Sequence, residues 1–258
     1  MYPILLSTPY FNIYSYGLFV ALGYAVGMLI TLYEVKKEKL NAEAIFDMLL
    51  LQLPIGIAGS RFLFMVEYTP EKLSFTNFIS FEQGGLTFYG SVISSFIFNL
   101  LYLKFRRMPF WRIMDCIGFG LPLGIMIARI GCFLNGCCYG IQCSSSIGFH
   151  FRHAGSGFYH ATQLYESFAA LLIFVIIQIY RKYRQNYGEV FMLMIGSYAF
   201  LRFFIEFLRA ENPIVLMGLT LSQIISIITI AAFIATFKII KKMPDLRIIP
   251  ETNIVSIK

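Results

Sequence analysis

The sequence contains a succession of long apolar stretches, and these constrain the fold more than any other feature. A helix needs about 20 mostly apolar residues to cross a bilayer. The candidate spans lie near residues 12–33, 44–66, 86–103, 113–131, 162–180, 189–208 and 217–237. The chain is 58% hydrophobic and 14% charged, whereas a soluble domain is about 25% charged. We therefore expect an all-α, polytopic integral membrane protein with about seven transmembrane helices, forming a single domain over residues 1–258.

The positions of the basic residues predict how the spans are oriented. Lys and Arg concentrate in alternate connections and in the tail, whereas the other connections hold few, chiefly Lys72 and Arg152. The basic set is Lys36, Lys37, Lys39, Lys104, Arg106, Arg107, Arg112, Arg181, Lys182, Arg184, Lys238, Lys241, Lys242, Arg247 and Lys258. Because Lys and Arg are enriched in cytoplasmic loops, we expect the N-terminus outside and the C-terminal tail, 238–258, in the cytoplasm. The net charge of +7 is then a topology signal, and it requires no nucleic-acid partner.

This orientation leaves two longer segments, 67–85 and 131–161, on the outer side. The aromatic content of 67–85 predicts a stretch lying at the membrane interface. No signal peptide is evident at the N-terminus, so we expect the first span itself to direct insertion. The polar chemistry of the chain should gather at the outer face.

The sixth span carries a polar stripe. Tyr198, Arg202 and Glu206 are spaced four residues apart and Arg209 follows three residues later, which places all four on one face of a helix. Charges inside a span are costly and usually functional. One interpretation is an Arg202–Glu206 ion pair that lets the stripe pack inward. The other is a cationic wall for an anionic lipid headgroup, because guanidinium matches phosphate bidentately.

Further polar residues lie near the span ends. Arg129 closes the fourth span on the outer side, Arg61 follows two small residues in the second, and Gln163 lies at the start of the fifth. Each of these alone is a weak indication of function, since a charge near a span end can extend its side chain to the interface. Together they place cationic and amide groups at several span ends.

The segment ARIGCFLNGCCYG at 128–140 ends the fourth span with three of the five cysteines. With Cys143 they form the spacing C-x4-C-C-x4-C. In an oxidising compartment a disulfide between Cys138 and Cys143, or between Cys132 and Cys143, is one interpretation. A metal site is a second, although the spacing is not the C-x2-C typical of structural zinc. The third is a thiol that takes part in acyl or glyceryl chemistry, and Cys137 is also a candidate for this role.

Taken in order, these segments resemble the bacterial prolipoprotein diacylglyceryl transferase family. The family signature runs Gly-Arg-x-Gly-Asn-Phe-x-Asn-x-Glu-x-x-Gly, and ARIGCFLNGCCYG matches it at Arg129, Gly131, Phe133, Asn135 and Gly140. The matching continues through SYGLF at 15–19, which contains Tyr16, and GGLTFYGSVIS at 84–94. It also includes HATQLYE at 160–166, SYAFLRFFIEFLR at 197–209 and MGLTLSQIIS at 217–226.

The resemblance implies a bacterial cytoplasmic-membrane enzyme whose active site faces the outer leaflet. Such an enzyme moves the diacylglyceryl group of phosphatidylglycerol to the lipobox cysteine of a prolipoprotein signal peptide, and glycerol-1-phosphate leaves. The resemblance implies no cofactor, and we expect no metal. We expect Arg129, Arg202, Tyr89 and Asn135 to be catalytic. The expected substrate-binding residues are Tyr16, Arg61, Gly140, Gln163, Tyr198, Glu206 and Arg209.

Three positions depart from the family pattern. Tyr89 occupies the place of a family histidine, Cys132 that of an asparagine and Cys137 that of a glutamate. The phenol of tyrosine has an ordinary pKa of about 10, so it is a poor base at neutral pH compared with the imidazole of histidine, whose pKa is about 6.5. Two alternatives to the ordinary transferase therefore remain: a divergent paralogue with another acceptor, and a non-catalytic membrane protein that binds lipid or lipoprotein.

Overall fold

A computed structural model describes residues 2–8, 11–72, 74–79, 85, 87–152, 154–209, 214–216 and 218–248. Parts of the predicted outer segment 67–85 and of the tail 238–258 therefore lie outside the described residues. Gly84, Leu86 and Met217, which belong to the motifs quoted above, also lie outside them.

Within the described residues the chain is helical, with three short antiparallel hairpins. The helices are α1 (Ser15–Lys37), α2 (Ala42–Tyr68), α3 (Phe75–Ile79), α4 (Phe88–Phe105), α5 (Phe110–Asn135), α6 (Thr162–Tyr180), α7 (Glu189–Glu206) and α8 (Leu221–Lys242). The hairpins pair β1 (Ile4–Ser7) with β2 (Asn12–Tyr14), β3 (Gln142–Cys143) with β4 (Phe158–Tyr159), and β5 (Ile214–Leu216) with β6 (Leu219–Thr220).

Six of the described helices, α1, α2, α4, α5, α6 and α8, are long and apolar enough to cross a membrane. The helix α7 has 18 residues and contains three charged side chains, those of Glu189, Arg202 and Glu206. Because α7 is only 18 residues long, all three charges fall within the length that a membrane span needs. The expectation of an all-α, multi-pass membrane protein is confirmed, whereas the number seven and the orientation remain predictions.

The chain divides into two compact units. The first contains residues 1–34 and 114–258, and the second contains residues 35–113. The expectation of one domain over the whole chain remains a prediction.

Small residues bring α1 and α5 together in the first unit. A Cβ added at Gly120 would overlap the backbone oxygen of Gly27, and one added at Gly124 would lie 3.0 Å from that of Gly23. Each helix thus presents a small-xxx-small pair, the arrangement that permits close backbone approach within a membrane. This contact fixes α5, whose end carries the segment 128–140.

An apolar cluster packs α5 against α6 and α7, with Phe119, Ile173, Ile177, Val190 and Met194 at its centre. Beside it, the buried carboxylate of Asp115 accepts hydrogen bonds from the backbone N–H groups of Gly188, at 2.8 Å, and Phe191, at 2.9 Å. A carboxylate is favourable at a helix N-terminus because it accepts from N–H groups that have no partner in the helix. Asp115 therefore holds the start of α7.

The second unit consists mainly of α2 and α4. The Ser60 hydroxyl donates to the Thr87 carbonyl at 2.7 Å, and the Thr87 hydroxyl donates to the Ser60 carbonyl at 3.1 Å. These reciprocal bonds fix the start of α4 against the middle of α2. The phenol of Tyr102 donates to the Ala44 carbonyl at 2.8 Å near the other end of the same pair.

Candidate active site

The helix α5 ends in a tight turn that determines where its cysteines lie. Gly136 has φ = 76° and its N–H donates to the Phe133 carbonyl at 3.1 Å. The next N–H, of Cys137, donates to the Cys132 carbonyl at 3.2 Å. These two bonds form a Schellman motif, which favours glycine at the left-handed position. The motif turns the chain back and brings Cys137 and Cys138 toward Cys132.

The first turn of α6 anchors the backbone of both cysteines in this turn. Thr162 donates from its hydroxyl to the Cys138 carbonyl at 2.7 Å, and Gln163 donates from its amide to the Cys137 carbonyl. Cys138 itself has φ = 65°, a left-handed conformation that costs a non-glycine residue about 1–2 kcal/mol. Such a conformation persists when the surroundings determine it, as these two bonds do.

Gly140 follows this turn and contacts two other segments of the chain, at His160 and at Arg209. Its N–H donates to the His160 carbonyl at 2.8 Å, and Gly140 pairs with Arg209 in an antiparallel bridge. A Cβ added at Gly140 would lie 2.9 Å from the Cβ of His160 and would overlap the Leu208 carbonyl. The structure thus gives Gly140 a packing role beside Arg209.

The centre of the site is Glu166, a buried residue of α6 that meets three arginines. Its Oε2 lies 2.7 Å from Nη2 of Arg129, on α5. Its Oε1 lies 2.7 Å from Nη1 of Arg202, on α7, and 3.5 Å from Nη1 of Arg209. One carboxylate thereby joins the ends of three segments of the first unit.

Arg202 pairs with a second carboxylate in addition to Glu166. Its Nη2 lies 2.8 Å from Oε2 of Glu206, four residues later on α7. Oε1 of Glu206 accepts from the Thr220 hydroxyl at 2.9 Å. Thr220 also accepts from the backbone N–H of Gln223 and caps α8 in a capping box. This series of contacts connects α6, α7 and the start of α8.

Of the two interpretations of the stripe on α7, the ion pair is observed, and the cationic wall for a lipid headgroup remains a prediction. The Arg202–Glu206 pair is present, and Arg202 uses both terminal nitrogens on carboxylates. Arg209 differs, because its contact with Glu166 is long and its buried Nε has no hydrogen-bond partner among the described residues. The described cluster contains three guanidinium groups and two carboxylates, so it keeps an excess of one positive charge. Such a site suits a ligand that carries one negative charge.

Two other expected residues lie beside this cluster. The side chain of Tyr198 interacts with Arg129. Tyr16, in the first turn of α1, is about half exposed and lies close enough to Arg129 and to Cys132 for electrostatic interaction. Tyr16 and Tyr198 therefore belong to the same site as Arg129.

Three thiols form a cluster next to the arginines. The Sγ atoms of Cys132, Cys137 and Cys138 all lie within 4.8 Å of one another. The side chain of Asn135 interacts with Cys137. Hydrogen bonds with the thiols of Cys132 and Cys137, and then the charges of Arg209 and Arg129, lower the pKa of Cys138.

The arrangement of the thiols differs from the pairings expected from the sequence. All five cysteines are free thiols, and the side chain of Cys143 packs near Gly148, in the loop between β3 and β4. The Schellman turn brings Cys137 and Cys138 to Cys132, and this local geometry was not evident from the spacing.

Arg61 and Tyr89 belong to the second unit. Arg61 is buried and donates to the carbonyl oxygens of Asn77, at 2.9 Å, and Gly85, at 3.2 Å. These bonds connect α2 to Asn77 in α3 and to Gly85, which lies before α4. Tyr89, in the first turn of α4, is half-buried. Their expected roles in substrate binding and catalysis remain predictions.

The residue missing from the sequence-based site is Glu166. It lies in the quoted stretch HATQLYE, three residues after Gln163, so a local signal was present. Helical periodicity can place residues on one face of α7, but it cannot identify the residue of α6 that faces them.

Comparison with known proteins identifies relatives of this chain. The sequence profile of the prolipoprotein diacylglyceryl transferase family matches residues 3–239. Phosphatidylglycerol–prolipoprotein diacylglyceryl transferase 1 of Clostridium perfringens is 30% identical over 93% of this chain and 95% of its own length. The transferase of Clostridium tetani is 30% identical over 93% and 98%, and that of Listeria innocua is 26% identical over 88% and 86%. The chain therefore belongs to the prolipoprotein diacylglyceryl transferase family.

Proposed function

We propose that this protein is a phosphatidylglycerol–prolipoprotein diacylglyceryl transferase. The observation that carries the proposal is the convergence of Arg129, Arg202 and Arg209 on Glu166. The relatives reported above have this activity in their names and extend over nearly the whole chain.

The arginines are suited to the phosphate of the lipid headgroup. The phosphodiester carries one negative charge, and the charge on phosphate increases as the leaving glycerol-1-phosphate forms. Guanidinium groups fixed in a site of low dielectric stabilise charge that develops in the transition state. Arg129 and Arg209 are the better candidates for direct contact with phosphate, whereas Arg202 holds Glu166 and Glu206 in place.

The reaction transfers the diacylglyceryl group to sulfur. The thiolate of the lipobox cysteine attacks the glyceryl carbon that carries the phosphate. The C–S bond forms, the C–O bond breaks, and glycerol-1-phosphate leaves with the electron pair of that bond. Tyr16 and Tyr198, which lie beside Arg129, and Asn135, at the end of α5, would position the two substrates.

The distribution of charge supports a site at the outer leaflet. The site lies at the end of α5, the start of α6, the end of α7 and the start of α8. Lys36 and Lys37 lie in the last turn of α1, and Lys241 and Lys242 lie in the last turn of α8, at the end of that helix away from the site. Because basic residues favour the cytoplasmic side, the proposal places the N-terminus outside and the site at the outer face of the cytoplasmic membrane. Phosphatidylglycerol and the prolipoprotein signal peptide would both reach it through the bilayer.

Replacement of the native enzyme in a bacterium tests this function. Cells depleted of their own transferase should grow and lipidate prolipoproteins when they express this chain. The Arg129→Ala variant should fail to restore either property at equal membrane abundance, while the control Arg152→Ala, at an exposed position, should restore both. A wild-type chain that reaches the membrane without restoring lipidation would contradict the proposal.

A further inference from the structure

The cluster formed by Cys132, Cys137 and Cys138 has the dimensions of a three-thiolate metal site. Their Sγ atoms lie within 4.8 Å of one another. With zinc–sulfur bonds of about 2.3 Å, thiolates on one zinc ion lie about 4 Å apart. Modest side-chain adjustments would therefore place all three sulfur atoms around one ion.

We propose that Cys132, Cys137 and Cys138 bind a zinc ion whose fourth coordination position receives the acceptor thiol. The inference rests on the proposed function, because the acceptor thiol belongs to that reaction. It departs from the expectation of no metal, because the three thiols lie close together, and it supplies a means of activating the nucleophile.

The fold holds these ligands in place before any ion arrives. Cys132 lies in the last turn of α5 and is buried, and the Schellman turn at Gly136 fixes the two residues that follow it. Thr162 and Gln163 hold the carbonyls of Cys138 and Cys137 from α6. Preorganised ligands of this kind favour binding, since little conformational entropy remains to be lost.

The number of ligands and their exposure favour a reactive zinc site over a structural one. Structural zinc sites are closed by four protein ligands, whereas catalytic sites have three and an open position. Cys137 and Cys138 are partly exposed, so the cluster is accessible from one side. Soft thiolate ligands also select zinc over magnesium or calcium.

The neighbouring arginines lower the electrostatic cost of such a site. A zinc ion with three thiolates carries one excess negative charge. Arg129 and Arg209 lie close enough to Cys138 to interact electrostatically with it. The same arginines would face the phosphate of the lipid, and this places the metal-bound sulfur next to the headgroup.

Coordination would activate the acceptor without a neighbouring base. A thiol that coordinates zinc loses its proton, which passes to water. The bound thiolate then attacks the glyceryl carbon, the C–O bond breaks, and glycerol-1-phosphate leaves with its electron pair. The thioether product is a weaker ligand than thiolate and dissociates, and the zinc remains Zn(II). This route accounts for Tyr89 at the position where the family has histidine.

Metal analysis of the full-length protein, purified in detergent with its thiols reduced, tests the inference. We expect one zinc ion per chain in the wild type and in the Cys143→Ser control, and loss of zinc in Cys132→Ser and Cys138→Ser. Cobalt(II) substituted into the wild type should show sulfur-to-cobalt charge-transfer absorption. Addition of a lipobox peptide should change the cobalt d–d bands, while the same peptide with serine in place of cysteine should not.

The outcomes separate this inference from the proposed function. A reduced wild-type protein that contains no zinc, takes up neither added zinc nor cobalt, and still transfers the diacylglyceryl group overturns the zinc site and leaves the function standing. A protein that binds zinc through the three cysteines but leaves the cobalt d–d bands unchanged on addition of the lipobox peptide overturns the role of the fourth position. The cobalt spectrum uses the wild type, so the test does not depend on folding of the variants.

Discussion

The carboxylate of Glu166 in α6 lies 2.7 Å from the guanidinium of Arg129 in α5. Glu166 is almost completely buried and also pairs with Arg202 and Arg209. A buried carboxylate is tolerated in a membrane protein when it is paired in this way. Glu166 therefore keeps three cationic side chains together at the ends of α5 and α7.

Replacement of Glu166 by glutamine should be strongly destabilising. Removal of one partner from a buried ion pair costs about 3–5 kcal/mol, since the remaining charges lose their compensation. Thermal unfolding in detergent should show a large decrease in melting temperature, together with loss of transfer activity. The matched control Glu43→Gln, at an exposed position at the start of α2, should unfold near the wild-type temperature. Equal melting temperatures for the two variants would show that Glu166 does not organise the site.

Replacement of Arg202 by lysine should reduce transfer even though the charge is kept. Arg202 contacts Glu166 with one terminal nitrogen and Glu206 with the other, and a lysine ammonium cannot reproduce that fork. Loss of one charge-assisted hydrogen bond is worth about 1.5–3 kcal/mol, so we expect a decrease in kcat/KM of about tenfold or more. The same exchange at exposed Arg152 should change kcat/KM little. Full activity of Arg202→Lys would be evidence against the bridging role.

Replacement of Thr220 by valine should loosen α8 from α7. The Thr220 hydroxyl donates to Glu206 and accepts from the backbone of Gln223 at the start of α8. Loss of an N-cap costs about 0.5–2 kcal/mol, and Glu206 would lose a donor as well. Thr229→Val is the matched control, because Thr229 donates to the Ile225 carbonyl within α8. Unfolding of the two variants in detergent should differ, with Thr220→Val the less stable.

Replacement of Gly136 by alanine should destabilise the end of α5. Gly136 has φ = 76° in the Schellman turn, where a Cβ costs roughly 1 kcal/mol. The control Gly17→Ala, in α1, places its Cβ in open space and should leave stability the same or slightly raised. Thermal melting compares the two variants. A Gly136→Ala protein as stable as Gly17→Ala would contradict the role assigned to the turn.

The hydropathy of the sequence predicted the long helices well. The fifth predicted span, 162–180, coincides with α6, and the other long helices differ from their predicted spans by a few residues at their ends. Apolar stretches of this length can satisfy their backbone in a bilayer only as helices. The segment 131–161 was predicted as one outer loop, whereas α5 continues to Asn135 and the rest includes the β3–β4 hairpin.

The site was predicted less completely, because it depends on contacts between separate segments. The stripe formed by Tyr198, Arg202 and Glu206 was evident from spacing within one helix. The position of Glu166 opposite that stripe depends on how α6 packs against α7, and the clustering of Cys132 with Cys138 depends on the turn at Gly136. Neither contact produces a periodic pattern of residues from which it could be predicted.

Intact-mass spectrometry of a lipobox peptide tests most directly whether this protein transfers the diacylglyceryl group from phosphatidylglycerol to a cysteine thiol. The purified protein would be placed in vesicles containing phosphatidylglycerol and incubated with the peptide. We expect the peptide to gain the mass of one diacylglyceryl group, with release of glycerol-1-phosphate. A peptide with serine in place of cysteine, and vesicles without phosphatidylglycerol, should give no product. An unmodified cysteine peptide in the presence of folded wild-type protein and phosphatidylglycerol would contradict the account.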